Sequence, residues 1–284
     1  MTRQGGAALL LVLWLIALLT ALVGAFALNA RIEALQGRVL SGGLQAQEVA
    51  RAGIEYALVR IADTEPTTRW TPDGRTYPWR FAGSELQIEI VDETGKLDLN
   101  QAQAPMISAL LQARGVERAP AEGIAAAILD WRDADLLTQP SGGAEDPDYA
   151  AAGLPYGAKD APFESVAEVE QVLGMTPEVY ARIEPYLTLY SGREQPDPTY
   201  APGPVLSALG LDPAGYLAQR SGTAAIAPGS ALVATGSGTY SIDSRARLPD
   251  GREAVLRTVV RAGGGLVPGS TYTTLRWQEG MASR

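Results

Sequence analysis

Ala7-Ala8-Leu9-Leu10-Leu11-Val12-Leu13-Trp14-Leu15 opens a run that carries no charge until Arg31, and the reading of this run decides the fold. A helix of roughly 20 residues, rising about 1.5 Å per residue, crosses the hydrocarbon core of a bilayer, and the stretch 7–30 is long enough to do so. Arg3 is the only charged side chain on the short side, so the positive-inside tendency places the N-terminus in the cytoplasm and everything after Leu28 outside it. A cleaved secretory signal is the competing reading, because Ala25-Phe26-Ala27 has the small-x-small form that signal peptidase accepts. An h-region is typically about 7–15 residues. Here the apolar run is longer and passes directly into a helical pattern, so the helix is read as retained.

Ile32, Leu35, Val39, Val49, Ile54, Leu58 and Ile61 recur mostly every three to five residues across 29–62, which predicts one apolar helix face. Gly42-Gly43 is expected to weaken or kink it, since each glycine costs about 1 kcal/mol relative to alanine inside a helix. Residues 45–58 are expected to pack onto a sheet. Asp63 to Arg80, with Pro66, Pro72, Gly74 and Pro78, reads as a loop. Leu86, Ile88 and Ile90 alternate with Gln87 and Glu89 as in a half-buried strand, and Asp92-Glu93-Thr94-Gly95 predicts a hairpin turn into Lys96-Leu97-Asp98-Leu99-Asn100. Further strands are expected at Tyr240–Leu248 and Arg252–Arg261, around Pro249-Asp250-Gly251, and at Tyr272–Trp277. Helical character at Ala102–Asp135 and Ser165–Leu189 separates the two strand groups, which predicts an α+β fold with a helical unit inserted in the sheet.

The 284 residues carry a formal charge of −9 and contain neither cysteine nor histidine. An acidic chain disfavours nucleic acid, whose phosphates are held by clustered Lys and Arg. Without cysteine there is no disulfide or thiolate, and without histidine a Ser-His-Asp triad is excluded and the usual zinc ligand is missing. Ser41-Gly42-Gly43, Gly236-Ser237-Gly238 and Gly263-Gly264-Gly265 match neither a phosphate loop nor a nucleophile elbow and read as turns. Paired carboxylates of the glycosidase kind are too common to carry weight. Trp131, Phe163 and Tyr186 read as core or interface aromatics. The densest polar group is Asp130, Asp133, Asp135, Glu145, Asp146 and Asp148, with Gly142-Gly143 as a bend. Hard oxygen ligands on a loop are what Ca²⁺ takes, at about six to eight per ion. The spacing is not that of an EF-hand, and a merely solvated acidic loop is the alternative.

A helix half in lipid and half against a sheet resembles the type IV pilin plan. Arg3-Gln4-Gly5-Gly6 followed by the apolar run resembles a class III leader, and its wording is similar to that of the minor pseudopilin K family of type II secretion. The order Val91-Asp92-Glu93-Thr94-Gly95-Lys96-Leu97-Asp98-Leu99-Asn100, then Asp130-Trp131-Arg132-Asp133-Ala134-Asp135, then Pro162-Phe163-Glu164-Ser165-Val166, Glu168 and Gly174-Met175-Thr176 resembles the same family, over most of the chain and weakening after about Gly222. The resemblance implies a leader at 1–6 removed by prepilin peptidase after Gly6, leaving Ala7 as an N-methylated terminus. It implies a transmembrane helix at 7–28 in inner-membrane lipid, a pilin-like helix and first strands at 29–100, and an inserted α-helical domain at 101–222 of SAM or helix-hairpin-helix-like character. Strands at 223–284 complete the antiparallel sheet. Ordinary pilins have a glutamate at the fifth mature position, where this chain has Leu11. The K members lack that glutamate, which fits a filament tip, because a buried glutamate needs a partner charge that a leucine does not. The resemblance further implies calcium in the helical domain, a periplasmic C-terminal part, the minor pseudopilins I and J as partners, no nucleic acid, and a structural rather than enzymatic role in initiating a secretion pseudopilus. The alternatives are a minor pilin of a type IV pilus and a soluble periplasmic binding module released at Ala27.

Overall fold

In a computed structural model describing residues 5–65, 67–221, 236–263 and 272–280, helix α1 spans Gly5–Ile61 without interruption. Its 57 residues make a rod about 85 Å long. The two halves of the rod meet different surroundings. Leu9–Glu33 has a mean hydropathy of 2.8 and none of it is buried, whereas Ala46, Val49, Ala50, Ile54 and Ala57 are all buried against the sheet. The buried stripe is therefore made largely of alanines, with Leu58 and Ile61 only flanking it, and Ile32 is exposed.

Small residues on that stripe bring helix and sheet close together. A Cβ built on Gly53 would fall 2.3 Å from Ser244 Oγ and 2.9 Å from Leu86. At Gly42 the space beside the helix is taken by the Arg252 guanidinium, the movable end of a long side chain, so the constraint there is weaker. The expected break at Gly42-Gly43 is not there: both residues are helical.

Strands β1 (Asp73–Phe81) and β2 (Ser84–Asp92) form a hairpin. The reading of 63–80 as a loop is thus corrected from residue 73 onward. Tyr77, Trp79 and Phe81 supply the alternation, and Pro78 is tolerated because β1 is an edge strand, where one missing N–H breaks no ladder. The two-residue turn, Ala82-Gly83, has positive φ at both positions, 49° and 76°, which suits a tight hairpin. Along β2 burial alternates strictly from Ser84 to Ile90.

The predicted hairpin across Asp92–Gly95 is also corrected. Asp92 caps a 3-10 turn at Glu93–Gly95, and the chain then leaves the sheet. Its next strand, β3 (Leu97–Asp98), pairs in parallel with β4 (Leu187–Thr188) as a separate two-stranded ribbon. Between these strands lie α2 (Ala104–Ala113), α3 (Arg118–Arg132), α4 (Asp146–Ala151) and α5 (Pro177–Ile183), and after β4 come α6 (Gly203–Ala208) and α7 (Pro213–Ser221). The chain then returns to the sheet as β5 (Thr239–Arg247), β6 (Glu253–Ala262) and β7 (Tyr272–Gly280). The sheet is antiparallel with order β1-β2-β5-β6-β7. A long N-terminal helix, an antiparallel sheet and inserted helices are the α+β architecture expected from the sequence.

Two hydrophobic cores result. One lies between α1 and the sheet; the other lies inside the inserted helices, around Leu97, Leu110, Ile128, Trp131, Tyr149 and Phe163. Trp131 and Phe163 are therefore core residues, and Tyr186 packs at that core's edge beneath the Arg114 guanidinium, 5.3 Å from the ring centroid. The insertion is clamped where it leaves and rejoins the sheet. Asp92 accepts hydrogen bonds from Thr94 N (2.9 Å) and Ser237 N (2.7 Å). Lys96 Nζ donates to Glu93 (2.9 Å) and to Ser241 Oγ (2.6 Å), and Thr188 Oγ1 donates to the other oxygen of Glu93. Glu93 is almost fully buried, and its charge is matched by the Lys96 ammonium and by the hydroxyls of Thr188 and Ser241, both of which donate to it.

Candidate functional site

The first candidate region is the apolar half of α1. Residues 1–4, and with them most of the expected leader, lie outside the described residues, while Gly6 and Ala7 are in the first turns of the helix. Leu11 is 72% exposed. Thr20 donates its hydroxyl to Ile16 O at 2.7 Å, which satisfies a polar group inside the span without any partner outside the helix.

The second candidate region is the acidic loop between α3 and α4. Asp130, fully buried in the last turn of α3, accepts from Gln139 N at 3.2 Å with both oxygens and also from the backbone of Ala144. Gly143 lies so close that a Cβ there would be 2.0 Å from Asp130 Oδ2. Asp130 is thus the post around which the loop winds. Burial raises its pKa, with those backbone donors acting the other way.

The winding brings Asp133, Asp135 and Glu145 together, with one carboxylate oxygen of each lying within 4.8 Å of the others. Glu145 is only 3% exposed; its side chain faces the N–H of Asp148 in the capping box that opens α4, and neither oxygen makes a well-formed hydrogen bond. Asp133 Oδ1 and Asp160 Oδ1 are also buried and unpartnered. Burial first, then the charges of Asp130, Asp160, Asp133 and Asp135, push the Glu145 carboxyl up to about 7. Asp133 is raised by burial and then by Asp135. The neighbouring basic groups are engaged elsewhere: Arg132 donates to the carbonyls of Leu99 and Ala102, and Lys159 pairs with Glu168 at 2.9 Å.

Of the six acids singled out in the sequence, three meet. Asp130 stands behind them as a loop organiser, Asp148 accepts from Glu145 N at 3.0 Å and caps α4, and Asp146 lies against Gly157. The sequence gives no sign of Asp160, which arrives from the far side of α4 and takes φ 53°. Two carboxylate oxygens bound at about 2.3–2.6 Å to one Ca²⁺ lie no more than about 5 Å apart. The observed grouping meets that limit, and orphaned buried oxygens are what such an ion would satisfy.

A third region is the cleft of about 450 Å³ between the outer face of the sheet and α5 with β4. Its floor carries a row across three strands, Glu89, Asp243 and Arg257, paired in register. Arg257 bonds Asp243 at 3.0 Å, and Arg276 reaches Glu184 on the insertion at 3.6 Å. Burial first, then the Asp243 charge, raises the Glu89 pKa.

The helical hairpins are closed by bonds among their own groups. Arg114 Nε donates to Arg182 O at 3.0 Å, and Arg182 Nη1 returns a bond to Arg114 O at 3.3 Å. The α2–α3 and α6–α7 turns close instead as helix C-caps: Val116 N bonds Leu111 O and Leu211 N bonds Leu206 O, each at 3.0 Å across a glycine with positive φ.

Residues 88–192 match the family model described as type II secretion system (T2SS), protein K. Type II secretion system protein K of Pectobacterium carotovorum subsp. carotovorum is 29% identical over 208 residues, covering 66% of this chain and 63% of that protein. Its counterpart in Aeromonas hydrophila is 27% identical over 209 residues, covering 65% and 63%. The chain therefore spans slightly under two thirds of the length of these relatives. A chain in the crystal structure of the GspK-GspI-GspJ complex from the enterotoxigenic Escherichia coli type 2 secretion system shares the fold, with a TM-score of 0.59 at 20% identity, covering 87% of this chain and 100% of that one.

Proposed function

We propose that this chain, whose residues 88–192 match the family model of type II secretion system protein K, is a minor pseudopilin that helps to start a secretion pseudopilus from the inner membrane. The observation that carries the reading is the continuity of α1. One uninterrupted helix is fully exposed and apolar at Leu9–Glu33 and buried against the sheet from Ala46 to Ala57. A rod of this kind ties the folded domain directly to the membrane span, so lifting one lifts the other. That is a mechanical property suited to filament assembly rather than to catalysis.

On this reading prepilin peptidase cuts after Gly6, Ala7 becomes the methylated terminus, and the domain faces the periplasm. Leu11 then needs no charged partner above it, which suits the subunit at the tip. The minor pseudopilins I and J lie beside α1 in the membrane. The inserted helical domain, too bulky to be stacked upon, ends growth in one direction.

Calcium belongs to the same proposal, held by Asp133, Asp135 and Glu145 with Asp130 fixing the loop behind them. It supplies positive charge where three carboxylates converge. Adding calcium to the chelated protein raises its melting temperature; an unchanged temperature argues against the ion.

The functional test is co-expression with the I and J pseudopilins of the same secretion system, followed by purification in detergent. A complex of the three chains is the expected result. Recovery of this chain alone, with I and J associating normally without it, contradicts the assignment.

A further inference from the structure

The cleft between the outer face of the sheet and α5 with β4 belongs neither to the membrane span nor to the acidic loop. Its volume of about 450 Å³ falls within the range of about 300–1,000 Å³ found for ligand pockets. The lining changes from end to end. At the closed end Lys96 and Thr188 are buried and both bonded to Glu93. Beyond them Val91 and Val259 flank Ser241 on the floor, and Leu187 stands in the wall. Two residues further along the same strands comes the row Glu89, Asp243 and Arg257, where Glu89 and Arg257 are exposed and the cleft is open.

The charges along this cleft are matched except at one carboxylate. Lys96 is held by Glu93 at 2.9 Å, Arg257 by Asp243 at 3.0 Å and Arg276 by Glu184 at 3.6 Å. Among the described residues no cation pairs with Glu89, and Lys96 and Arg257 act on it only from a distance. An apolar channel that opens beside an uncompensated carboxylate is complementary to aliphatic carbon carrying one positive charge. Lysine suits it better than arginine. Glu89 and Asp243 stand opposite one another on neighbouring strands, about 5 Å apart at Cβ, and their joint field suits a compact ammonium. A guanidinium fork is matched to a single carboxylate, and Arg257 already takes that place at Asp243. The two lysines of this chain, Lys96 and Lys159, are both paired within it, so a second copy offers no free lysine.

We propose that the cleft is a docking site for a lysine-bearing segment of a different protein, with the ammonium beside Glu89 and an apolar neighbour deeper in, against Val91, Val259 and Leu187. The proposal does not depend on the pseudopilin reading, since it stands on the cleft, its strand register and its ion pairs.

The test uses the full-length chain in detergent. The chain has no cysteine, so Gln278→Cys carries a single environment-sensitive fluorophore at the rim of the cleft. The probe is the peptide acetyl-Val-Lys-Val-amide. Saturable binding in the millimolar range or tighter is expected, and norleucine in place of the lysine weakens it about tenfold or more. Glu89→Gln weakens the lysine peptide to the same degree and leaves the norleucine peptide unchanged, whereas Glu89→Asp, which keeps the charge, retains most of the binding. Glu89→Gln removes one of two facing like charges, and a melting temperature no lower than that of the unmodified chain verifies that it folds. No saturation by the lysine peptide, or equal binding of the lysine and norleucine peptides, overturns the proposal. Cadaverine binding as tightly as the peptide assigns the cleft to a small amine and overturns it too. So does self-association of the chain that Glu89→Gln abolishes, which assigns the cleft to a second copy.

Discussion

Glu89 and Asp243 stand directly opposite one another on β2 and β5, and like charges in that position are unfavourable. Among the described residues Arg257 alone pairs with either of them, and it bonds Asp243 at 3.0 Å. The pKa of Glu89 is raised from 4.5, first by burial and then by Asp243. A carboxyl whose pKa is raised on folding favours the folded state when protonated; that contribution is present below its unfolded pKa and is lost as pH rises through the folded value. Glu89→Gln is therefore expected to stabilise the protein at pH 7 by about 0.5 kcal/mol, with the gain vanishing near pH 4. Thermal melts at the two pH values check this, and an equal gain at both rules out the electrostatic cause. Such pairings are invisible in the sequence, because register depends on which strands become neighbours. The acidic loop was partly legible for the same reason. Asp133 and Asp135 are close in sequence, but only the winding around Asp130 brings Glu145 to them, and nothing near Asp160 in the chain marks it as their neighbour.

At the scale of elements, period was the reliable guide and turn residues were the misleading one. The period-two alternation of Leu86, Ile88 and Ile90 and the pattern of β5 and β6 are written openly in the sequence. Strand β1 was concealed by Pro72, Gly74 and Pro78, which an edge strand tolerates and a central strand would not. The turn at Asp92–Gly95 looked like a hairpin because it has hairpin residues, yet the buried Glu93 and Lys96 commit it to the root of the insertion. Gly53 tests the closeness of α1 to the sheet. Alanine there gains about 1 kcal/mol in helix propensity but collides with Ser244 and Leu86, and overpacking costs about 1–3 kcal/mol. Gly53→Ala is expected to destabilise the protein by about 1 kcal/mol in denaturant titrations; stabilisation would mean that helix and sheet are less tightly apposed.

The whole molecule is a rod with two cores attached in series. The first core holds the rod to the sheet, and the second is fastened to the sheet through Asp92, Glu93, Lys96, Ser237 and Ser241. This plan was legible because a membrane-length run, a helical continuation and two strand groups separated by helices leave few other α+β arrangements. The parallel β3–β4 ribbon was not, since two-residue strands carry no period. The central claim is that the apolar half of α1 stays attached as a membrane anchor after processing. Mass spectrometry of the N-terminal peptide, taken from protein recovered from its native membrane, tests it most directly. The account predicts a peptide beginning at methylated Ala7; a peptide beginning at Leu28 would mean the anchor has been cut away, and would contradict it.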